Sequence, residues 1–319
     1  MPHLVTVAEI EEAAERLRGV AVRTPLVPLP FSDPPLFIKP ESLQPTGAFK
    51  LRGAYSAIAA LPETDRAKGV ITHSSGNHAQ AVAYAARSLN ISAVLVLPRT
   101  APATKVDACR ALGAEIVLVE PTMAARRTTT ERLAEAHGFQ VVPPFDDARV
   151  IAGQGTIGLE IIEDAPDVDV VLVPVGGGGL ISGVAAAVKS RRPETRVIGV
   201  EPELAADARD SLRAGRPIGW AAEDTARTFA DALRVQQVGD LPFAHMRAYV
   251  DDIVVVSEEE IREAMRRLAR GARLIAEPAG AVATAAYLFR RGEISAAGTY
   301  VAVLSGGNVD PDILRAAVN

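Results

Sequence analysis

The residue in this chain best placed for covalent chemistry is Lys50. It closes the run KPESLQPTGAFK (39–50) and is followed by Leu51, Arg52 and Gly53. A lysine amine becomes a covalent catalyst when it condenses with a carbonyl. Phe49, beside it, offers a face for a flat ring, and Gly47 and Gly53 permit close backbone approach. Among 34 basic residues a lysine is ordinarily a solvated charge, and these neighbours are what set Lys50 apart.

Three further loops carry groups that such a lysine would need. In PVGGGGL (174–180) a strand-like run ends, Gly176, Gly177, Gly178 and Gly179 follow, and a helix-like segment begins at Leu180. Glycines let main-chain N–H groups converge on an anion, and a helix N-terminus adds partial positive charge. A phosphate is the expected guest, and a tight turn between strand and helix is the alternative. No Gly-Lys-Ser/Thr ending follows, so this is not an NTPase loop. The run His73, Ser74, Ser75, Gly76, Asn77, His78 also joins a strand end to a helix start. Its polar groups suit a small carboxylate; the alternative is simple capping by Ser75 or Asn77. The third loop, LSGGNVD (304–310), places Ser305 at the end of the last strand-like run. Ligands of open α/β sheets collect at the carboxyl ends of strands, where all three loops lie.

The elements that must hold these loops read as alternating strands and helices. Strands are expected at 70–73, 91–97, 114–119 and 139–142, with helices at 77–89, 103–112 and 123–137 between them. A second series places a helix at 150–163, a strand at 168–173, a helix at 180–191 and a strand at 196–200. Residues 203–250 show no clear period. Beyond them come a strand at 251–256 and a helix over 257–270, opened by Ser257 with Glu260 three residues on as a capping box. A further helix starts near Pro278, and the last strand is 299–304. Repeated βα units imply parallel sheets with right-handed crossovers.

Size and composition bound the fold and the partners. A length of 319 residues predicts roughly two domains. Apolar residues make up 48% and aromatic ones only 4%, which suits buried parallel sheets built from small aliphatic side chains. The net charge of −5 argues against nucleic acid or an anionic membrane as the main partner. No apolar run has transmembrane length. A single cysteine, Cys109, excludes an internal disulfide, reads as a packed thiol and fits a cytoplasmic protein.

The motifs TGAFKLRGA (46–54), SSGNHAQ (74–80), PVGGGGL (174–180), IAEPAGA (275–281) and LSGGNVD (304–310), in this order and spacing, resemble the fold-type-II pyridoxal phosphate (PLP) enzymes. The similarity is to the serine/threonine dehydratase and serine racemase group, and it runs from about Val20 to Asp310. It implies an α/β chain with the tryptophan synthase β-like fold: two three-layer domains with mostly parallel sheets. Residues 70–148 would be a small domain inserted into a large one formed by 1–69 and 149–319.

The resemblance also implies roles. Lys50 would hold the cofactor covalently and later move protons on one of its faces. Phe49 would pack on the pyridine ring, Asn77 would bond its hydroxyl, Ser305 would meet its nitrogen, and Glu277 would lie near it. Gly176 to Gly179 and Leu180 would cradle the phosphate. Ser74, Ser75, Gly76, Asn77 and His78 would line the substrate carboxylate pocket. In the racemases the counterpart of Ser75 is the acid/base opposite the lysine. Ala232 stands where relatives commonly carry glycine against the cofactor, so its methyl group bears on substrate choice. Glu201, Asp207 and the carbonyl of Ala205 match positions that bind a divalent cation in relatives, and hard oxygen ligands suit Mg²⁺ or Ca²⁺; a solvated acidic turn is the alternative.

A serine hydroxyl cannot keep the pyridine nitrogen protonated as a carboxylate would. That favours prompt loss of a β-leaving group. The expected activity is therefore β-elimination of a 3-hydroxy amino acid such as L-threonine or L-serine to a 2-oxo acid and ammonia. An amino-acid racemase of the same architecture is the second expectation, and a non-catalytic binder of PLP or amino acids the third. The expected partners are the small-molecule substrate and a second copy in a homodimer.

Overall fold

The structure is a computed structural model that describes residues 2–318 apart from Ser75, Pro102 and Ser295, and omits the side chain of Thr104. Its strands are β1 (Val27–Pro28), β2 (Leu36–Pro40), β3 (Val70–Thr72), β4 (Ala93–Pro98), β5 (Glu115–Val119), β6 (Gln140–Val141), β7 (Val170–Pro174), β8 (Arg196–Pro202), β9 (Asp252–Val256) and β10 (Tyr300–Leu304). They form two sheets. One is entirely parallel, in the order β5-β4-β3-β6. The other runs β1-β2-β10-β7-β8-β9, with only the β1 edge antiparallel. Every residue of β7 and β10 is buried, as their unbroken apolar runs require of strands covered on both faces.

Element boundaries shift from the expected ones by one to three residues at most of these positions. The region without a readable period, 203–250, holds helices Asp207–Ala214 and Asp240–Tyr249, a short turn of helix at Ala222–Thr225 and a 3₁₀ turn at Asp231–Leu233. These pieces are too short to display a helical repeat. Ser257 and Glu260 do form the expected capping box. The helix they open is regular only to Arg267. A π-helical turn follows at Leu268–Ala272, and Arg273 ends it in the left-handed conformation at φ 61°. Cys109 is buried, and desolvation pushes its thiol up to about 11.

Helix Ala148–Asp164 fixes the spacing of the two most important loops. On one side it crosses helix Lys50–Ala59 so closely that a Cβ on Gly153 would lie 2.6 Å from the Arg52 carbonyl oxygen. On the other, a Cβ on Gly183, in helix Gly179–Arg191, would lie 2.3 Å from the Ile151 carbonyl oxygen. Backbone therefore touches backbone on both sides. The start of the Lys50 helix and the start of the helix after the glycine loop are set by one rigid spacer.

Candidate active site

Lys50 begins its helix where two distant segments are laced together. Phe49 donates its N–H to the Ser305 carbonyl at 3.0 Å, and Gly307 donates to the Gly47 carbonyl at 2.9 Å. The Asn308 amide donates to the Thr46 carbonyl at 2.8 Å. Gly47 has φ 71°, and a Cβ there would lie 2.3 Å from Asn308 Oδ1, so glycine is required by both conformation and space. The Glu277 N–H completes the lacing on the Gly306 carbonyl at 3.0 Å.

The Lys50 amine lies 5.0 Å from the centre of the Phe49 ring and donates to the Pro144 carbonyl at 2.6 Å. Part of the side chain stays exposed, yet burial of the amine pulls its pKa down from 10.5 to about 8. A charged amine is costly where water is excluded and no carboxylate compensates. Lys50 is thus brought to where about half of it is neutral near pH 8.

Asn77 does not cap its helix. The N-cap is Gly76, without a side-chain capping bond. The Asn77 amide instead donates to Glu277 Oε1 at 2.7 Å, and its oxygen accepts from Asn308 at 2.9 Å. Glu277 is buried, and desolvation together with the nearby Asp231 charge raises its carboxyl to about 8. Ser74 and Gly76 are partly exposed, and a Cβ on Gly76 would meet nothing within 4 Å. Ser75 lies outside the described residues. The His78 ring is buried, bonded through Nε2 to the Val142 carbonyl at 2.9 Å. Desolvation, with Lys50 close by, pulls its pKa down to about 3. What His78 has left to offer at the loop is its main-chain N–H, which the first turn of a helix leaves without an intrahelical acceptor.

The four glycines are required for different reasons. Gly178 has φ 88°. A Cβ on Gly177 would lie 2.2 Å from the Phe145 ring, and one on Gly179 would lie 2.9 Å from Phe145 Cβ. A Cβ on Gly176 would lie 3.3 Å from the end of the Leu233 side chain, a tight contact that Leu233 would have to yield to. Leu180 buries its side chain in the core and offers the loop only main-chain atoms. Ala232 is exposed, in the 3₁₀ turn whose neighbour Leu233 backs Gly176. The Ser305 hydroxyl is buried, and its protein acceptor, the Ala279 carbonyl, is 3.5 Å away.

A separate surface hollow of about 640 Å³ opens over Arg52 and Glu160. Each of its charged side chains is paired with an opposite charge, and Lys50 does not line it.

A model of the family "Pyridoxal-phosphate dependent enzyme" matches residues 17–306. The chain belongs to this family. It is 45% identical to an L-threonine ammonia-lyase of Thermotoga maritima, over 99% of this chain and 79% of the relative. It is 38% identical to an L-threo-3-hydroxyaspartate ammonia-lyase of Saccharomyces cerevisiae, over 96% and 94%. Among solved structures, maize serine racemase superposes with a TM-score of 0.93 at 37% identity, covering 99% of this chain and 97% of that one. The architecture is that of the fold-type-II PLP enzymes, with mostly parallel sheets.

The residues present fit the family's cofactor. A desolvated amine can condense with its aldehyde. A helix N-terminus opened by glycines can take its phosphate. The buried hydroxyl of Ser305, 3.5 Å from the Ala279 carbonyl, can meet a ring nitrogen. For a metal, the picture is more limited. Glu201 is buried and accepts the N–H groups of Ala208 and Arg209 at 3.0 and 2.8 Å. Asp207 accepts the Val238 N–H at 2.7 Å. Among the described residues no group of three or more His, Cys, Asp or Glu side chains gathers at one point. A cation here would take two carboxylates, with main-chain carbonyls such as that of the buried Ala205 and water completing its shell.

Sequence reasoning missed Phe145 and the Pro144 carbonyl. The only signal was the pair of prolines, Pro143 and Pro144, closing the return from the small sheet. It also missed a buried ion cluster behind Lys50. Arg52 binds Glu41 through Nε and Nη2 at 2.7 and 2.8 Å and Glu160 at 2.6 Å, and Lys39 binds Glu160 at 2.6 Å.

Proposed function

We propose that this chain is a PLP-dependent ammonia-lyase. It removes water from a 3-hydroxy amino acid of the threonine or serine type, and the released enamine hydrolyses to a 2-oxo acid and ammonia. The observation that carries this reading is the Lys50 amine: lowered by desolvation to about 8, beside the Phe49 ring, and bonded to the Pro144 carbonyl next to Phe145, which packs against the glycine loop. The relatives named for ammonia-lyase activity support it.

In this reading Phe49 and Ala232 flank the cofactor, Gly176 to Gly179 and the Leu180 N–H receive its phosphate, and Asn77 and Ser305 fix its ring. The bound cofactor supplies the electron sink for the pair left when the α-proton departs. Lys50 is the base that takes that proton. Its amine is neutral in a useful fraction near pH 8, which suits a general base. Asn77 and the protonated Glu277 hold the ring end of the site. Ser74, Ser75, Gly76 and the main chain of His78 bind the substrate carboxylate at the start of helix Asn77–Ser88. Ser305 carries no charge, so the site favours departure of the β-hydroxyl over transamination.

Racemisation is the second reading, favoured by the likeness to maize serine racemase over nearly the whole chain. It assigns Ser75 as the acid/base opposite Lys50. Three further proposals accompany the main one. Residues 70–148, which contain all four strands of the small sheet, form a small domain inserted into 1–69 plus 149–319. The enzyme is a homodimer. Glu201 and Asp207 share a divalent cation with the Ala205 carbonyl; supporting this, desolvation raises both carboxyls, Asp207 to about 7 and Glu201 well above the usual range.

The deciding experiment measures 2-oxo acid and ammonia from the purified holoenzyme with serine, threonine and 3-hydroxyaspartate, with chiral analysis of recovered substrate. Lys50→Ala should lose both the visible absorbance of lysine-bound PLP and all product. A variant that kept either would sink the assignment. Wild-type enzyme that inverts substrate without releasing ammonia would transfer the case to the racemase.

A further inference from the structure

Residues 142–147 carry the chain from β6 to helix Ala148–Asp164, and nearly every one of them is tied to a different part of the site. The Val142 carbonyl receives His78 Nε2 at 2.9 Å. The Pro144 carbonyl receives the Lys50 amine at 2.6 Å. The Phe145 ring occupies the space that a side chain at Gly177 would need, its nearest atom 2.2 Å from a Cβ placed there. The Asp146 carboxylate accepts the N–H groups of Asp240 and Leu241 at 3.3 and 3.0 Å. Asp147 caps the next helix on the N–H groups of Arg149 and Val150.

We propose that Phe145 is a positioning residue: its ring seated on Gly177 and its Cβ and main chain against Gly179 hold the Pro144 carbonyl as the dock for the Lys50 amine whenever that amine is not bonded to the cofactor. The inference rests on the proposed role of Lys50 and adds what keeps the amine in place between bonds.

The chemistry of the dock follows from its atoms. A carbonyl oxygen accepts an N–H but has no proton to give and takes none in water's pH range. A neutral amine bonded to it keeps its lone pair free and directed away from the carbonyl. The dock therefore orients the base without consuming it. Two consecutive prolines, Pro143 and Pro144, fix φ near −65° and bring no N–H of their own. The carbonyl can then be aimed without a competing donor beside it. Phe145 supplies the anchor. Because its ring fills a gap in the glycine loop itself, the dock and the phosphate cradle keep a constant separation. With the carbonyl held in place the amine stays at its buried position, and burial is what lowers the Lys50 pKa.

The test uses the full chain with Phe145→Ala, and with Phe145→Leu as the variant that restores part of the volume. The first readout is the pH dependence of PLP capture, followed by the visible absorbance that appears when PLP is added to cofactor-free protein. Capture requires the neutral amine, so its half-maximal pH reports on Lys50 directly. Wild type should show a midpoint near 8. Phe145→Ala should move it up by about one pH unit or more as water reaches the amine, and weaken PLP binding about tenfold or more. Phe145→Leu should fall between the two. The second readout is the acid limb of kcat, which should move in parallel. A structural role alone would lower the melting temperature and leave the capture midpoint unmoved. That result in Phe145→Leu, or in both variants, overturns the proposal. Failure of the ammonia-lyase reading would show instead as wild-type enzyme that releases no oxo acid while capture behaves as described.

Discussion

Burying the Lys50 amine carries a cost that should be measurable in the protein without its cofactor. Its pKa falls from 10.5 to about 8 on folding, so the folded state disfavours the protonated form. The sign follows from linkage. A depressed pKa means that the penalty is full below about pH 8 and disappears above about pH 10.5, where the amine is neutral folded or unfolded. The gap corresponds to about 3 kcal/mol at pH 7. Lys50→Met removes the charge while keeping a long apolar side chain. It also removes the hydrogen bond to the Pro144 carbonyl, which contributes about 1 kcal/mol. The net expectation is a gain of about 2 kcal/mol at pH 7, read by urea denaturation of both cofactor-free proteins. At pH 10.5 the gain should vanish or turn slightly negative. A variant less stable than wild type at pH 7, or a difference that does not change between pH 7 and 10.5, would refute the claim that Lys50 is held desolvated.

Other consequences are open to direct measurement. Gly177→Ala places a methyl carbon against the Phe145 ring; overpacking of this kind costs about 1–3 kcal/mol, and PLP titrations should show weaker binding along with a lower melting temperature. Arg52→Met leaves Glu41 buried without its guanidinium. Breaking a buried pair in this way costs about 3–5 kcal/mol, and the same change with Glu41→Gln should recover part of the loss. The carboxyls of Glu201 and Asp207 are both raised by desolvation and so protonated more readily folded than unfolded; the stability they contribute is present at low pH and lost as pH rises through their folded values, about 7 for Asp207. Chelator-treated protein should therefore melt at progressively lower temperature from pH 5 to pH 8. Ca²⁺ or Mg²⁺ should reverse the loss at pH 8, and the response should be absent in Asp207→Asn; an unchanged melt at pH 8 with either ion would count against a cation there.

The loop at 74–78 and the glycine run were visible because each stands where an apolar run ends and a helix begins, and the βα order of both sheets was visible for the same reason. Ser305 was visible because it ends the last apolar run, and Lys50 because Phe49, Gly47 and Gly53 set it apart. What could not be read depends on direction and distance. Lys39, Glu41 and Arg52 belong to the same conspicuous run as Lys50, but nothing local shows that they are buried, and their partner Glu160 is 108 residues from Arg52. Asn77 looks like a helix cap, yet its amide is used across 200 residues on Glu277. The glycine run was legible as an anion cradle, whereas Gly177 and Gly179 are glycine because Phe145 stands against them. A lone phenylalanine after two prolines gives no hint of that contact. Residues 203–250 escaped because their helices are short and interrupted.

The lacing of Thr46–Phe49 to Ser305–Asn308 joins positions 262 residues apart, and strand β2 pairs with β10 over a nearly equal interval, Leu36 with Tyr300. Contacts this distant in sequence form late, after much chain entropy has been lost. During synthesis Lys50 and its carbonyl partner Pro144 emerge early, but the segment that laces the start of the Lys50 helix does not exist until the chain has been made as far as Asn308. The start of the Lys50 helix is therefore one of the first parts of the site to be made and one of the last to be fixed in place.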